Sequence, residues 1–179
     1  MTKTLWKGKK VFLRHPKTED FAEFIALNKS SRKFHKGLVK TSVDKQGFDD
    51  YLARNEREEN ECFLICRNTD GAIVGVINLS QIFRGVFQNA YLGYYLGGKF
   101  TGFGFMAEAV ELILRFAFKE LKLHRVEANV QPRNLASIAV LQKTGFTKEG
   151  FSHKYLKIGG RWRDHERWAI IAEDWRGKK

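Results

Sequence analysis

A glycine-rich turn that runs straight into a long amphipathic helix constrains this chain more than any other feature. The segment GGKFTGFGFMAEAVELILRFAFKELK has glycines at 97, 98, 102 and 104, and after them apolar residues recur at Phe105, Ala109, Leu112, Ile113, Phe116 and Ala117. That spacing is helical over several turns. The residues before it, VFQNAYLGYYL, read as a strand. Glycines between a strand and a helix let the backbone turn sharply and approach a ligand closely. The free N–H groups of the helix's first turn, with the positive end of the dipole, make an anion site suited to a pyrophosphate. The loop alone is equally compatible with a turn that holds nothing. It is not a Walker loop, since no Gly-Lys-Ser/Thr follows. It is also a poor dinucleotide fingerprint, because the strands before it read as antiparallel.

Those strands are ECFLICR, AIVGVINLSQIF and VFQNAYLGYYL, joined by Asn68-Thr69-Asp70-Gly71 and by Arg84-Gly85. Short turns of this composition predict an antiparallel meander. Upstream, Lys9 to Arg14 is a candidate first strand. Thr18 is a candidate cap for a helix from Glu19 to Lys29, and a charged helix is expected over Asp44 to Glu58. Downstream, HRVEANVQ reads as a strand, and a short helix runs from Asn134 or Leu135 to Thr144, capped by Asn134 and ended at Gly145. Two further strands flank Gly159-Gly160. The sum is an α+β layered domain over residues 1–179, a mostly antiparallel central sheet flanked by helices, with no linker composition to divide it.

Composition bounds the function. The 179 residues are 43% hydrophobic, enough for one domain with a core. No run of about 18 apolar residues could span a bilayer, and the opening MTKTLWKGKK has no apolar stretch behind its charge, so no leader is expected and the cytoplasm is the expected location. Cys62 and Cys66 lie four apart on one strand, roughly 13 Å from each other. They are too far apart to bridge and read as small buried residues. The five histidines lack metal-ligand spacing, so no metal is expected. A net charge of +12 favours anionic partners such as nucleic acid or a polyphosphate cofactor, and is also met in a merely solvated basic surface.

The phrase LGYYLGGKFTGFGFMAEAV resembles the cofactor-binding motif of the GNAT acetyltransferases, Gln/Arg-x-x-Gly-x-Gly/Ala, with Lys99 where the family commonly has Gln or Arg. LHRVEANVQPRNLASIAVLQKTGFTKEG resembles the second conserved stretch of one branch, with its Asn-x-x-Ser and Gly-Phe. The ending YLKIGGRWRDHERWAI resembles the RimJ/RimL-type ribosomal-protein-alanine N-acetyltransferases. The resemblance runs from Phe12 to Trp175. It implies acetyl-coenzyme A as cofactor, cradled by Lys99 through Met106, with Thr101, Gly102 and Gly104 central and Phe103 and Phe105 beside them. Tyr94, Leu96, Asn134, Ser137 and Lys143 complete the implied cofactor set.

In this family an amine attacks the thioester directly. The resemblance implies an oxyanion donor among the backbone N–H groups of Tyr94 to Leu96. Many relatives protonate the leaving thiolate from a Tyr seven residues after the Asn. Here that position is Leu141, so Ser137 is the candidate proton donor, with Asn134 on the pantetheine arm or acetyl group. Either residue could instead be only a helix cap and a first-turn residue. Glu127 is the candidate base, or a structural partner for an Arg; Asn129, where some relatives have Glu, cannot serve. Glu108 in the first turns of the long helix reads as structural. Asp164, His165 and Glu166 are candidate acceptor contacts. The implied acceptor is a protein N-terminal amine, that of a ribosomal protein, with ribosome association as a corollary of the charge and either a monomer or a homodimer possible. The alternatives are a small amine, which would require an acidic pocket, and a non-catalytic basic domain binding nucleic acid, which would require an occluded glycine loop.

Overall fold

The computed structural model describes residues 6–177, so the first half of MTKTLWKGKK lies outside the described residues. A hairpin of β1 (Trp6–Lys7) and β2 (Val11–Arg14) opens the sheet. Lys9 and Lys10, expected at the start of the strand, form its turn instead. Their amides are drawn off to the carboxylate of Glu108, which also takes the amide of Val11, at 2.5, 2.8 and 3.1 Å. A 3-10 turn at Thr18–Asp20 then precedes α1 (Phe21–Ser30). Asp20, rather than Thr18, organises this start: its carboxylate accepts the Lys17 amide and holds Arg14 through two bonds of 2.7 Å.

A four-residue helix, α2 (Arg32–His35), follows without any sequence signal strong enough to announce it. α3 (Lys45–Asn55) is capped by Asp44, whose side chain accepts the Gly47 amide at 2.9 Å. The expected meander forms as β3 (Asn60–Arg67), β4 (Ile73–Phe83) and β5 (Asn89–Leu96), all antiparallel. α4 (Phe105–Arg115), extended by a π-helical turn at Phe116–Glu120, carries the chain across to β6 (Arg125–Val130). After α5 (Leu135–Lys143), the hairpin of β7 (Thr147–Ile158) and β8 (Arg161–Ile171) turns on Gly159 and Gly160, both at positive φ.

The strand order is β1-β2-β3-β4-β5-β6-β8-β7, and β5–β6 is the parallel pair. A parallel neighbour needs a crossover, which α4 supplies. β3 and β4 are buried almost without alternation because helices cover both faces. Phe63 packs edge-on against Phe116 on the α4 side, whereas Asn78, opposite Cys62, meets Tyr51 of α3 on the other. Cys62 and Cys66 are buried and free, and burial pushes both thiols up to about 11.

Candidate active site

The ladder between β5 and β6 pairs Asn89, Ala90 and Tyr91 with Arg125, Val126 and Glu127, and then stops although both strands run on. A cavity of about 730 Å³ opens where they part. Gly97 donates its N–H to Val74 on β4 at 2.9 Å. Since main-chain groups alternate along a strand, those of Tyr94 and Leu96 point the other way, into the gap left by β6. The Leu96 carbonyl confirms that direction by accepting from His35. The N–H groups of Tyr94 and Leu96 are thus aimed where the resemblance places an oxyanion donor.

Side chains divide the cavity into two faces. Tyr94 pairs with Ile77, which pairs with Phe63, so it lies on the α4 side. Its hydroxyl is 2.7 Å from Ser137 Oγ on α5, and burial pushes it up to about 12. Asn134 caps α5 by accepting the Ser137 amide at 3.2 Å, so its side-chain oxygen is committed and its amide nitrogen is left for other partners. Tyr95 points to the opposite face, where it packs edge-on against His35. By the same alternation Glu127, Asn129 and Gln131 lie on that second face with Tyr91.

At the mouth, Gly102 and Gly104 have φ of +85° and +78°, a backbone that L side chains rarely adopt. A Cβ at Gly102 would touch nothing, so the space before the loop is open. Gly104 caps α4 without a side chain to satisfy the helix's first amides, and those of Phe105, Met106 and Ala107 border the cavity. Lys10, outside the implied cofactor set, donates its ammonium to the Phe103 carbonyl at 2.8 Å. Orphan amides, a helix dipole, an open approach and a lysine fit a pyrophosphate, and the gap along Tyr94 and Leu96 fits an extended arm that bonds main chain. Acetyl-coenzyme A has both parts.

The structure brings Tyr94, Leu96, Thr101, Gly102, Gly104, Phe105, Met106, Asn134, Ser137 and Lys143 to the cavity wall. Three candidates stand apart. Lys99 lies over the Phe100 ring at 4.9 Å, and Phe103 is exposed and stacks on Phe105. Glu127 is off the cavity wall, held by Arg125 at 2.8 Å, the structural partnership left open by the sequence. Of the C-terminal trio, His165 reaches the wall, whereas Asp164 accepts the Lys154 amide and Glu166 holds Lys148. His35, Gln131 and Tyr155 line the cavity without having been foreseen.

The acetyltransferase (GNAT) domain family matches residues 10–147. Over 176 residues the chain is 39% identical to the probable N-acetyltransferase YjcK of Bacillus subtilis, covering 94% of this chain and 97% of that one. Over 103 residues it is 43% identical to the [ribosomal protein uS5]-alanine N-acetyltransferase of Escherichia coli, covering 58% of this chain and 53% of that protein. Mycobacterium smegmatis RimJ, solved in complex with CoA-disulfide, superposes with a TM-score of 0.84 at 28% identity, over 91% of this chain and 82% of that chain. The open loop and these matches remove the reading as a non-catalytic nucleic-acid binder: the chain belongs to the GNAT acetyltransferases and is an acetyl-CoA-dependent N-acetyltransferase.

Proposed function

We propose that the acceptor is the N-terminal amine of a protein, by likeness to the uS5 enzyme the N-terminal alanine of a ribosomal protein. One observation carries this reading: among the described residues, no Asp or Glu lines the cavity. A polyamine or aminoglycoside brings several positive charges that need carboxylates to replace their water. An α-amine with a pKa near 8 is partly neutral at physiological pH and brings one charge at most. The apolar walls of Leu38, Val39 and Leu156 suit a short side chain beside it. A net charge of +12 supports docking on ribosomal RNA rather than capture of a free basic protein.

Bound acetyl-CoA supplies the activated acetyl thioester. The chain's own part on the α4–α5 face is proton supply. Ser137 Oγ gives a proton toward the sulfur and is resupplied by the Tyr94 hydroxyl 2.7 Å away. Burial pushes the Tyr94 hydroxyl up to about 12, so it carries its proton at neutral pH. Asn134 orients Ser137 through the cap and offers its amide nitrogen to the arm.

The test is acetylation of peptides with N-terminal alanine against spermidine and an amino sugar, read by mass spectrometry. Acetylation of the α-amine is expected to dominate. Preferential turnover of a polyamine would end this reading. Ribosome association should weaken as salt rises; association absent at low salt, or indifferent to salt, counts against the docking corollary.

A further inference from the structure

The reading above leaves the amine's proton without a destination, since Glu127 is bound to Arg125 and is off the cavity wall. Two groups on the acceptor face have the opposite condition. His35 is 4% exposed, lines the cavity, and has an Nδ1 with no partner. Asn129 also lines it, and its side-chain oxygen is buried with no partner. Both are buried hydrogen-bond acceptors that lack a donor, which is costly unless a ligand supplies one.

The tautomer of His35 follows from its other contact. Nε2 lies 2.7 Å from the Leu96 carbonyl, which can only accept, so Nε2 carries the proton and Nδ1 the lone pair. The ring is further fixed by the edge of Tyr95, centroids 5.1 Å apart. The segments that carry His35 and Asn129 are tied to each other across the cavity. Gln131, just past the end of β6 and two residues beyond Asn129, donates to the carbonyl of Gly37 at 2.9 Å, two residues beyond His35. Arg133 holds that carbonyl too, at 2.7 Å.

We propose that His35 Nδ1 is the proton acceptor for the incoming amine, with the Asn129 side-chain oxygen holding the amine beside it. As the nitrogen lone pair bonds the acetyl carbon, the amine's proton passes to Nδ1. When the carbon–sulfur bond breaks, its electron pair leaves on sulfur, which takes the proton held at Ser137. The imidazolium then releases its proton to water, and the Ser137–Tyr94 pair regains one. Neutral acceptors in a cavity without carboxylates favour the neutral amine over its ammonium. Burial lowers the His35 imidazole below its ordinary range, so it is uncharged and ready at neutral pH. The titratable and charged groups around its segment are Tyr95 of β5, in ring contact, Arg133, bound to the Gly37 carbonyl, His165, on the same cavity wall, and Arg32, Lys33 and Lys36, its neighbours in the chain. No carboxylate is among them to oppose that lowering.

The test uses the whole chain with an alanine N-terminal peptide and, in parallel, benzylamine as a plain amine. His35→Gln keeps a side-chain N–H for the Leu96 carbonyl while removing the imidazole. It should lower kcat/KM about 100-fold at neutral pH, with the thermal stabilisation by acetyl-CoA unchanged. In wild type the fall of kcat/KM with acid should steepen to a double proton dependence below the imidazole's titration. In the variant it should stay single, from the amine alone. Nitrogen-15 NMR of the unliganded wild type should show Nε2 protonated, Nδ1 bare, and titration below the usual histidine range. That measurement stands even if the variant does not fold. Kinetics unchanged in His35→Gln, or a proton found on Nδ1, would overturn the proposal. If benzylamine is a substrate and the peptide is not, the acceptor reading fails while His35 is still tested on benzylamine.

Discussion

The two faces of the cavity are built in opposite ways. On the α4–α5 face the ligand meets main chain: the open amides of Phe105 to Ala107, the turned-out strand at Tyr94 and Leu96, and the cap at Asn134. Most of these groups come from one run, residues 94–107, and from the first turn of α5. On the other face the contacts are side chains from distant segments, with His35 from α2, Asn129 from β6 and Gln131 just past its end, and Tyr155 and His165 from the C-terminal hairpin. Backbone recognition tolerates changes of side chain, whereas a constellation assembled from separate segments can be altered one residue at a time. A fold that keeps one cofactor and varies its acceptor is well served by that division.

If the division is real, the largest loss on the cofactor face comes from the side chain that hands its proton to the sulfur. Ser137→Ala is expected to lower kcat about 100-fold. The Ser137 amide still bonds Asn134, so the cap and cofactor affinity should hold. Steady-state kinetics beside a cofactor titration checks this, and unchanged kcat would remove Ser137 from the chemistry. Next is Gly104→Val, which acts through the backbone alone. Holding a β-branched residue at φ +78° costs about 2 kcal/mol. Acetyl-CoA binding by calorimetry should weaken about 30-fold. An affinity equal to wild type would mean that the loop relaxes and that its positive φ is not needed.

This contrast also explains what could be read from the sequence. The glycine loop, α4 and the Asn134 cap are local: periodicity, glycine placement and capping chemistry sit within a few residues of what they determine. The meander was equally legible, because its turns are short. α2 was not, since four residues carry no periodicity, and the contact of His35 with Leu96 that holds it is 61 residues away in sequence. Lys10 sits where the sequence predicts a strand, and the contacts that hold it in a turn, from Glu108 and Asn68, come from remote segments. Tyr94 was assigned for its backbone; its hydroxyl acquires a role only when the fold sets it beside Ser137. The choice between base and structural partner for Glu127 needed Arg125's geometry, which spacing on a strand does not give.

Tyr94→Phe tests whether that side chain belongs to the chemistry or only to the wall. Loss of the hydroxyl's two contacts with Ser137, at Oγ and at the carbonyl, is expected to lower kcat about tenfold, with KM for acetyl-CoA near wild type because the strand's main chain is unchanged. The Tyr94 and Ser137 changes should not add, since both remove the same proton path. A double variant with independent losses would separate the two residues.

The smallest expected effect belongs to Lys10, and it sharpens the comparison most, because it is the side chain that trespasses on a backbone-built site. Lys10 is exposed, its ammonium donates to the Phe103 carbonyl, and its own amide is fixed by Glu108. It therefore stands beside the glycine loop as a charge that water and salt screen. Lys10→Met keeps the length of the side chain and the amide's bond to Glu108 while removing the charge. Acetyl-CoA affinity should fall about threefold at low salt, and the gap between variant and wild type should close as salt is raised, while kcat at saturating cofactor is unchanged. A loss nearer that of Gly104→Val would make Lys10 a principal phosphate ligand, and the cofactor face would then rest on a side chain as much as on main chain.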